Sequence, residues 1–257
     1  MTDFQPNKRQ DSILDMIRES GFVSTDAMVE AFNVTPQTIR RDLNELSEHR
    51  LLERFHGGAG QPKQLANTPY KTRQSTQYEA KRQIAEATAA LIPDGSSLFL
   101  NIGTTTEAIA TALLQHKNLH VVTNNVHVAV ILGQNETFNI MLAGGQFRAS
   151  DGGVVGIDSV DFIKKFRLDI GIIGVSGIDN KGNLLDFDRL EVSTAQGVIE
   201  NSSRVILVAD HDKFGRRAMN KIGVLNDIDT LVTDKDLHKT YRALCNQMKV
   251  QVITAEK

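Results

Sequence analysis

The segment Asn101 to Thr106 has the residue types of an anion-binding loop. It follows an apolar run typical of a buried strand and precedes a helical pattern. A glycine at such a junction lets the backbone approach a ligand, and the first N–H groups of the following helix have no acceptor within that helix. We therefore predict a phosphate site that contains Gly103, Thr104, Thr105 and Thr106. The alternative is that these threonines are ordinary helix caps, and the loop is neither a Walker loop nor a GxGxxG motif, so a nucleotide is not specifically indicated.

Polar or glycine-rich loops follow four other predicted strands. Because ligands of open α/β sheets bind beyond the carboxyl ends of the strands, we expect these loops to share one edge of the sheet. The cations expected to complement a phosphate are Lys213 and Arg148. The remaining predicted effector-binding residues are Asn124, Gly144, Gly145, Asp179 and Asp210, of which the amide and the two carboxylates would accept hydrogen bonds from sugar hydroxyls. The alternative for Lys213 is a solvated loop lysine.

A second group of residues with binding chemistry lies on the third predicted helix. Its apolar stripe consists of Ile39, Leu43 and Leu46, at positions i, i+4 and i+7. The residues off that stripe are of the types that contact DNA, namely Gln37, Thr38, Arg40, Arg41 and Asn44. In the major groove, arginine pairs with guanine, and glutamine or asparagine pairs with adenine. A surface helix of any three-helix bundle also exposes polar residues, so this pattern alone leaves a non-binding helix open.

The charge of the first 60 residues argues against a generic DNA-binding surface. They contain seven Lys and Arg but ten Asp and Glu, and Asp42, Glu45 and Glu48 lie on the third helix itself. A DNA-binding domain is usually strongly basic. We therefore expect affinity to depend on a local cluster of arginines and on more than one copy of the domain. Residues 61–82 contain five Lys and Arg against one acidic residue, and we interpret this run as a solvated linker.

The elements that position the third helix form a small N-terminal domain. Helical spacing predicts a first helix over residues 8–20 and a second helix that Ser24 or Thr25 caps. Thr35-Pro36 has the residue types of an N-cap and a first helical position. Residues 51–58 read as a strand and a glycine turn that returns the chain as a hairpin. Together these patterns predict a helix-turn-helix with a wing beside it.

The rest of the chain is organised differently. After an irregular segment, residues 61–76, short apolar runs alternate with helical patterns. The predicted strands are residues 98–102, 119–123, 138–143, 168–174, 205–210, 229–234 and 250–254. Strands rich in Val, Ile and Leu that are separated by helices indicate parallel βαβ units. We predict a winged helix-turn-helix domain over residues 1–60, a linker over residues 61–76 and a doubly wound α/β domain over residues 77–257.

The composition is that of a globular protein, with 257 residues, 40% hydrophobic and 23% charged residues and a formal net charge of −2. The single cysteine, Cys245, excludes an intramolecular disulfide, and the seven histidines lack a ligand spacing such as HExxH. We therefore predict no metal and no cofactor. No run approaches the roughly 18 apolar residues of a membrane helix, and the first residues lack the apolar segment of a signal peptide. We expect a cytoplasmic protein without a membrane partner.

Several strings of this sequence occur together in one known family. They are Val23-Ser24-Thr25, Thr35 to Leu43, His56 to Ala59, Ile102 to Thr105, Thr123 to Asn125, Ala143 to Gly145 and Asp210 to Gly215. With these motifs in this order, from about residue 8 to about residue 255, the chain resembles the DeoR family of bacterial repressors of sugar metabolism. By this resemblance Thr25, Thr35 and His56 join the five residues of the third helix as predicted DNA contacts. Arg54 joins them as a member of the expected arginine cluster with Arg40 and Arg41.

The resemblance implies a ligand-responsive repressor. A winged helix-turn-helix would bind operator DNA as a homo-oligomer, a tetramer by resemblance, and a sensor domain similar to sugar-phosphate isomerases would release it when a phosphorylated effector binds. Residues 67–69, 148–153, 177–179 and 185–191 read much as in family members that regulate glycerol 3-phosphate metabolism. Glycerol 3-phosphate, or a similar phosphorylated compound, is therefore the expected effector. The family commonly has Asp where this chain has Asn101, which leaves the role of Asn101 open.

Alternatives remain at this point. The chain would be a DeoR-type regulator, a repressor or an activator, that responds to another sugar phosphate, or a sugar-phosphate isomerase with an appended DNA-binding domain. In the isomerase, Asp179, Asp210 and Lys213 would be acid, base and phosphate anchor. No pair of carboxylates falls into a signature that names a reaction, and we therefore predict that the protein is not an enzyme and has no catalytic residues.

Overall fold

A computed structural model of the chain describes residues 4–20, 22–49, 51–55, 57–60 and 67–255. The N-terminal unit consists of α1 (Lys8–Ser20), β1 (Phe22–Ser24), α2 (Thr25–Phe32), α3 (Pro36–Glu48), β2 (Glu53–Phe55) and β3 (Gly58–Gly60). Its three short strands form one antiparallel sheet in the order β1-β3-β2. This is the predicted arrangement of three helices and a hairpin, although β2 begins two residues later than the predicted strand.

Local hydrogen bonds explain where α2 and α3 begin. The side chain of Ser24, rather than that of Thr25, caps α2 by accepting a hydrogen bond from the N–H of Ala27 at 3.1 Å. Thr35 caps α3 by accepting from the N–H of Thr38 at 3.2 Å, and Pro36 is the first helical residue, as predicted. The predicted stripe of α3 is fully buried in a core shared with α1 and α2. Tertiary packing therefore fixes which face of α3 remains exposed.

The predicted linker contains regular structure. Residues Tyr70–Ser75 form α4, and Tyr78–Ala89 form α5, with Gln77 in the left-handed conformation between them (φ 53°). The interpretation of residues 70–75 as irregular is therefore wrong. A helix of six residues is too short for a periodic apolar stripe, and none of its residues is buried, so the hydrophobic pattern carried no signal.

The C-terminal unit is built on parallel strands. Its further elements, in chain order, are β4 (Ser97–Leu100), α6 (Thr104–Ala112), β5 (His120–Thr123), α7 (Val126–Leu132), β6 (Asn139–Leu142), β7 (Gln146–Arg148), β8 (Gly153–Val155), α8 (Ile157–Ile163), β9 (Leu168–Gly174), β10 (Gly177–Ile178), β11 (Asn183–Asp186), α9 (Arg189–Asn201), β12 (Ser202–Val208), β13 (Asn220–Val224), β14 (Thr230–Thr233), α10 (Lys239–Gln247) and β15 (Gln251–Thr254). The main sheet has seven parallel strands in the order β15-β14-β12-β9-β4-β5-β6.

All seven predicted strands belong to this sheet, and helices cover both of its faces. On β12, Val205 and Leu207 point into the core beneath α8, α9 and α10, whereas Ile206 and Val208 point into the core beneath α5, α6 and α7. The alternation follows from the two-residue period of a strand, and burial on both faces explains why the strands read as continuous apolar runs. The fold class predicted from the sequence is confirmed.

The strand order creates a crevice at one place. After β4 the chain proceeds to β5 and β6 on one side, and it then returns to β9 on the other side of β4. The loops that leave β4 and β9 therefore diverge, which is the switch point at which open α/β sheets bind ligands. Two smaller antiparallel sheets, β7-β8 and β10-β11-β13, lie outside the main sheet and were not predicted. Within the described ranges, none of the helices has the length and apolar character that crossing a bilayer requires.

Close packing of α9 on β9 depends on Gly171. A Cβ atom there would lie 2.5 Å from Ser202 Oγ and 2.6 Å from Val198 Cγ1. We expect Gly171→Ala to lower the free energy of unfolding by about 1–3 kcal/mol, because overpacking forces the helix away from the sheet. Gly174→Ala on the same strand is the matched control, since its Cβ would meet nothing closer than 4.0 Å. Urea denaturation measures both, and equal stability of the two variants would contradict the packing assignment.

Candidate DNA-binding surface and ligand cavity

The exposed face of α3 carries four polar side chains. Gln37, Arg40, Arg41 and Asn44 are exposed, and Thr38 is half-buried beside them. Their spacing of three and four residues places them on one side of the helix, opposite the buried stripe. This face therefore presents two guanidinium groups and two amide side chains together, which is the donor and acceptor set for the edges of bases.

Two of the three acidic residues of α3 point away from that face. Asp42 is buried, and the guanidinium of Arg9 on α1 donates to its carboxylate at 2.6 and 3.2 Å. Glu45 accepts a hydrogen bond from Gln10 Nε2 at 2.8 Å. These contacts direct both carboxylates toward α1 and away from the polar face of α3. Of the three acidic residues of α3, Glu48 is the one that is exposed and has no described contact with α1.

The other predicted DNA contacts have different surroundings. Arg54 on β2 is exposed and donates to the side-chain oxygen of Asn44, which places the wing strand beside α3. Thr25 is buried, so the prediction that its side chain contacts DNA is not supported. Thr35 is exposed, but its hydroxyl is bonded to Thr38 N–H and lies 2.9 Å from the Thr38 hydroxyl. His56 lies outside the described residues.

A cavity of about 400 Å³ opens at the switch point of the main sheet. The loops after β4, β9 and β12 form its floor, and the segment from Asn67 to Lys81 forms one wall. Six predicted effector-binding residues line it, namely Gly103, Thr104, Thr105, Thr106, Asp210 and Lys213. Leu14, Ile17 and Leu51 of the N-terminal unit also line it. The cavity thus touches the main sheet, the segment from Asn67 to Lys81, called the connecting segment below, and the N-terminal unit.

The predicted phosphate loop lies between β4 and α6, and one of its residues has a different role from the predicted one. Gly103 precedes α6 with φ 155°, a conformation that other residues rarely adopt, and the first-turn N–H groups of α6 follow it. The side chains of Thr104 and Thr105 are half-buried. The hydroxyl of Thr106 instead donates to the carbonyl oxygens of Asn101 and Gly103, both at 2.7 Å. Thr106 therefore holds the loop together, and only its backbone N–H is placed to bind an anion.

Asn101 also has a structural role. Its side-chain oxygen accepts a hydrogen bond from the N–H of Gly174 at 3.2 Å, and the residue is buried. This bond ties the end of β4 to the end of β9 at the point where the two strands separate. An aspartate at this position would accept the same bond, so the difference from the family's common residue leaves this contact intact.

Four cationic side chains among the described residues line the cavity, namely Arg73, Lys81, Lys213 and Arg216. Lys81 is buried on α5, and its ammonium donates to the carbonyl oxygens of Arg73 and of Thr76, the latter at 2.7 Å. Burial lowers the pKa of Lys81 to about 8 against the opposing effect of Asp210. Burial also lowers the pKa of Lys213, whose ammonium is 4.0 Å from a carboxylate oxygen of Asp210.

Sequence reasoning missed three of these cations. Arg73 and Lys81 belong to the basic run interpreted as a solvated linker, and Arg216 follows the strand-end motif by one residue. The guanidinium of Arg216 donates to Asn67 Oδ1 at 3.0 Å and lies 5.2 Å from the ring centroid of Phe187. A lysine within an amphipathic helix, as Lys81 is, gives no sequence signal that separates a buried site from a solvated face.

The connecting segment is anchored to the cavity walls at several points. Tyr70 on α4 donates its hydroxyl hydrogen to Glu107 on α6 at 2.8 Å. Gln77 donates to Asp212 at 2.7 Å, and Asn67 donates to the hydroxyl of Ser176 at 3.1 Å. The segment that leads to the N-terminal unit is therefore bonded to three of the elements that surround the cavity.

Arg148 does not line this cavity, and the prediction that it complements a phosphate is corrected. Its guanidinium donates to Asp151 at 2.7 and 2.8 Å, and also to Asp188 and Glu191. Three carboxylates satisfy its charge, so it joins β7 to the start of α9.

Four further predicted contacts also lie elsewhere. Asn124 is fully buried and donates to the carbonyl of Val154 at 3.1 Å. Gly145 has φ 141°, and a Cβ there would lie 2.7 Å from Ser159 Oγ, which itself donates to the carbonyl of Gly144. Asp179 accepts from the N–H groups of Lys181 and Asn183 and holds a turn. Their motifs shape the hairpins around the sheet, and the acid, base and anchor set of the isomerase alternative is not assembled.

The described residues contain no group of three or more His, Cys, Asp or Glu side chains suited to a metal ion.

Two family models match the chain in sequence. The model of the DeoR-like helix-turn-helix domain matches residues 9–64, and that of the DeoR C-terminal sensor domain matches residues 76–235. The chain belongs to the DeoR family. This assignment confirms the resemblance seen in the motifs of both domains.

Several curated relatives of this DeoR-family protein are named repressors. It is 52% identical over 227 residues to the glycerol-3-phosphate regulon repressor of Escherichia coli K12, with 88% of this chain and 90% of the relative covered. The Haemophilus influenzae protein of the same name is 48% identical, with 88% of each chain covered. The transcriptional repressor CsqR of E. coli is 35% identical and covers 100% of this chain and 98% of its own.

The solved structures that align with the chain are more distant. A ribose-5-phosphate isomerase complexed with phospho-erythronic acid aligns with 53% of each chain at 16% identity and a TM-score of 0.39. The eIF2B beta subunit of Chaetomium thermophilum aligns with 87% of this DeoR-family chain and 65% of its own, at 14% identity and a TM-score of 0.46.

The surroundings of Arg148 predict a stability effect that depends on pH. We expect Arg148→Met to lower the free energy of unfolding at pH 7.5 by about 2–3 kcal/mol, because buried carboxylates lose their partner. Burial and the charge of Asp186 already raise the pKa of Glu191 to about 7, and loss of Arg148 raises it further, so the loss of stability shrinks as the pH falls from 7.5 toward 5 and Glu191 becomes protonated. Urea denaturation at both pH values measures this, with exposed Arg217→Met as the control. Unchanged stability together with weaker phosphate binding would assign Arg148 to the ligand instead.

Proposed function

We propose that this protein represses genes of glycerol 3-phosphate metabolism by binding operator DNA, and that glycerol 3-phosphate in the cavity releases it. The observation that carries the proposal is the cavity, because a helix N-terminus and buried ammonium groups favour an anion there. The identity of the anion is supported by relatives of 48–52% identity that are named glycerol-3-phosphate regulon repressors.

The side chains on the exposed face of α3 support the proposal that this helix recognises base edges in the major groove of DNA. Arg40 and Arg41 would donate to base edges or phosphates, while Gln37 and Asn44 have the groups that pair with adenine. Arg54 on the wing strand adds a cation beside this face. We propose that copies of the chain assemble into a homo-oligomer that presents several such faces, because a single face with few cations supplies little salt-dependent affinity.

The cavity wall explains how a ligand would act on DNA binding. Leu14, Ile17 and Leu51 of the N-terminal unit line the same space as the phosphate loop. A ligand that orders the connecting segment, or that displaces these side chains, has different affinities for different placements of the N-terminal unit. Such a difference is what allows a ligand to shift a conformational equilibrium.

Replacement of Arg40 or Arg41 by Ala tests how α3 binds DNA. If the side chain contacts a base, we expect operator affinity to fall by about 1–3 kcal/mol while affinity for random duplex changes little. Fluorescence anisotropy with a duplex that the protein selects from a random pool measures both affinities. Lys239→Ala, an exposed lysine on α10, is the control for loss of one positive charge. Equal losses on both duplexes would assign the arginine to phosphate contact, and no loss from either variant would exclude α3 as the reading helix.

Calorimetric titration of the full chain tests the ligand and its site together. We expect glycerol 3-phosphate to bind and to weaken operator binding, and glycerol to do neither, because the phosphate occupies the loop before α6. Lys213→Ala should weaken binding tenfold or more, through loss of a charge-assisted hydrogen bond, and Thr104→Ala should weaken it less. Lys164→Ala, an exposed lysine outside the cavity, should match the parent chain. Similar effects of glycerol and glycerol 3-phosphate would refute the effector assignment.

A further inference from the structure

One end of the cavity is lined by carboxylates that the family motifs did not single out. Asp186, at the end of β11, and Glu191, in the first turn of α9, both line the cavity. Asp186 is buried and accepts hydrogen bonds from the hydroxyl of Ser176 at 2.9 Å and from the N–H of Asp188 at 3.0 Å. These two donors fix the carboxylate and leave further acceptor capacity on its oxygens.

The carboxylate end is electrostatically distinct from the phosphate loop. The charges that act most on Lys81 are those of Asp210, Lys213, Arg73 and Glu107. The charges that act most on Glu191 are those of Asp186, Arg148 and Asp151. Arg216 donates to Asn67, which donates to the Ser176 hydroxyl that holds Asp186, so this guanidinium lies beside the carboxylate end. One end of the cavity therefore has ammonium groups and the start of α6, and the other end has two carboxylates with Arg216 beside them.

The balance of charge restricts the ligand. Among the described residues, four cations line the cavity, and so do four carboxylates, Asp186, Glu191, Asp210 and Asp212. A ligand with negative charge along its whole length would meet repulsion at the carboxylate end. A ligand with a phosphate at one end and hydroxyl groups at the other matches both ends, because each hydroxyl can donate to a carboxylate oxygen.

Glu191 has a second property that suits hydroxyl groups. Burial and the neighbouring charge of Asp186 raise its pKa to about 7, against the opposing effect of Arg148. Near neutral pH the side chain is therefore present in both protonation states. The protonated form can donate to a ligand oxygen while Asp186 accepts from the same or the adjacent hydroxyl.

We propose that Asp186 and Glu191 determine specificity by binding the hydroxyl end of a phosphorylated polyol whose phosphate lies at the Gly103 loop. The proposal rests on the function proposed above and assigns to this site the chemical class of its ligand. Asn67 and Arg216 border the carboxylate end of the cavity. Asn67 donates to the hydroxyl of Ser176, which in turn donates to Asp186, and the side-chain oxygen of Asn67 accepts from Arg216. The hydroxyl end of the ligand therefore lies against the connecting segment.

The experiment pairs ligands that lack hydroxyls with variants that lack a carboxylate. Calorimetry on the full chain compares glycerol 3-phosphate, propane-1,2-diol 1-phosphate, propyl phosphate and inorganic phosphate. In the parent chain we expect glycerol 3-phosphate to bind about 10 to 100 times more tightly than propyl phosphate, because the analogue leaves buried acceptors unpaired. In Asp186→Asn and Glu191→Gln this ratio should fall to within about threefold, with propyl phosphate affinity kept or improved. Asp188→Asn, a carboxylate of the Arg148 cluster that does not line the cavity, should keep the parent ratio.

Each outcome decides between the proposals. A ratio that stays at the parent value in both variants would overturn the assignment of the carboxylates while leaving the effector site intact. A parent chain that binds none of the organic phosphates would overturn the proposed function and this proposal together. Thermal denaturation identifies a variant that does not fold, and the second variant then carries the comparison. Loss of affinity for all ligands by the same factor in both folded variants would also reject a role in specificity.

Discussion

Buried positive charge at the end of the sheet is the constraint on which the rest of the structure depends. Lys81 and Lys213 lose hydration when the chain folds, and their lowered pKa values record that cost. Nearby carboxylates and the carbonyl oxygens of Arg73 and Thr76 offset it in part. An anion that accepts hydrogen bonds from these groups offsets the cost of burying them further. Ligand binding is therefore expected to stabilise this region of the folded chain.

The positive charge around the cavity comes from the loops that follow the strands and from the segment that precedes the sheet. The strand order brings the loops after β4, β9 and β12 to one edge, and Asn101 holds the first two strands together where they separate. Lys81 and Arg73 come instead from the connecting segment, which α4 attaches to α6 through Tyr70 and Glu107. A ligand at this edge therefore contacts the part of the chain that leads to α3, and no separate transmission element is required.

The sequence predicted the regular parts of this architecture well. The seven parallel strands are long apolar runs buried on both faces, and α3 has both a proper cap and an uninterrupted stripe. The site was predicted less completely. Loop residues such as Gly103 and Lys213 follow strands and could be found by that rule, whereas Lys81 lies inside a helix and its burial depends on tertiary packing. The predictions for Arg148 and Asp179 were wrong because other residues bind these side chains. Arg148 is paired with carboxylates that are distant in sequence, and Asp179 is bonded within its own turn. The role of Asp42 could not be predicted from its position on the third helix either, because its partner Arg9 lies on another helix.

The central claim is that one ligand site and one DNA-binding face are coupled, and reciprocity of binding tests it most directly. Calorimetry would give the affinity for glycerol 3-phosphate with and without saturating operator, and anisotropy would give operator affinity with and without saturating glycerol 3-phosphate. We predict that each ligand weakens the binding of the other by the same factor, and that this factor is at least about fivefold. An affinity for glycerol 3-phosphate that is the same on and off the operator would contradict it.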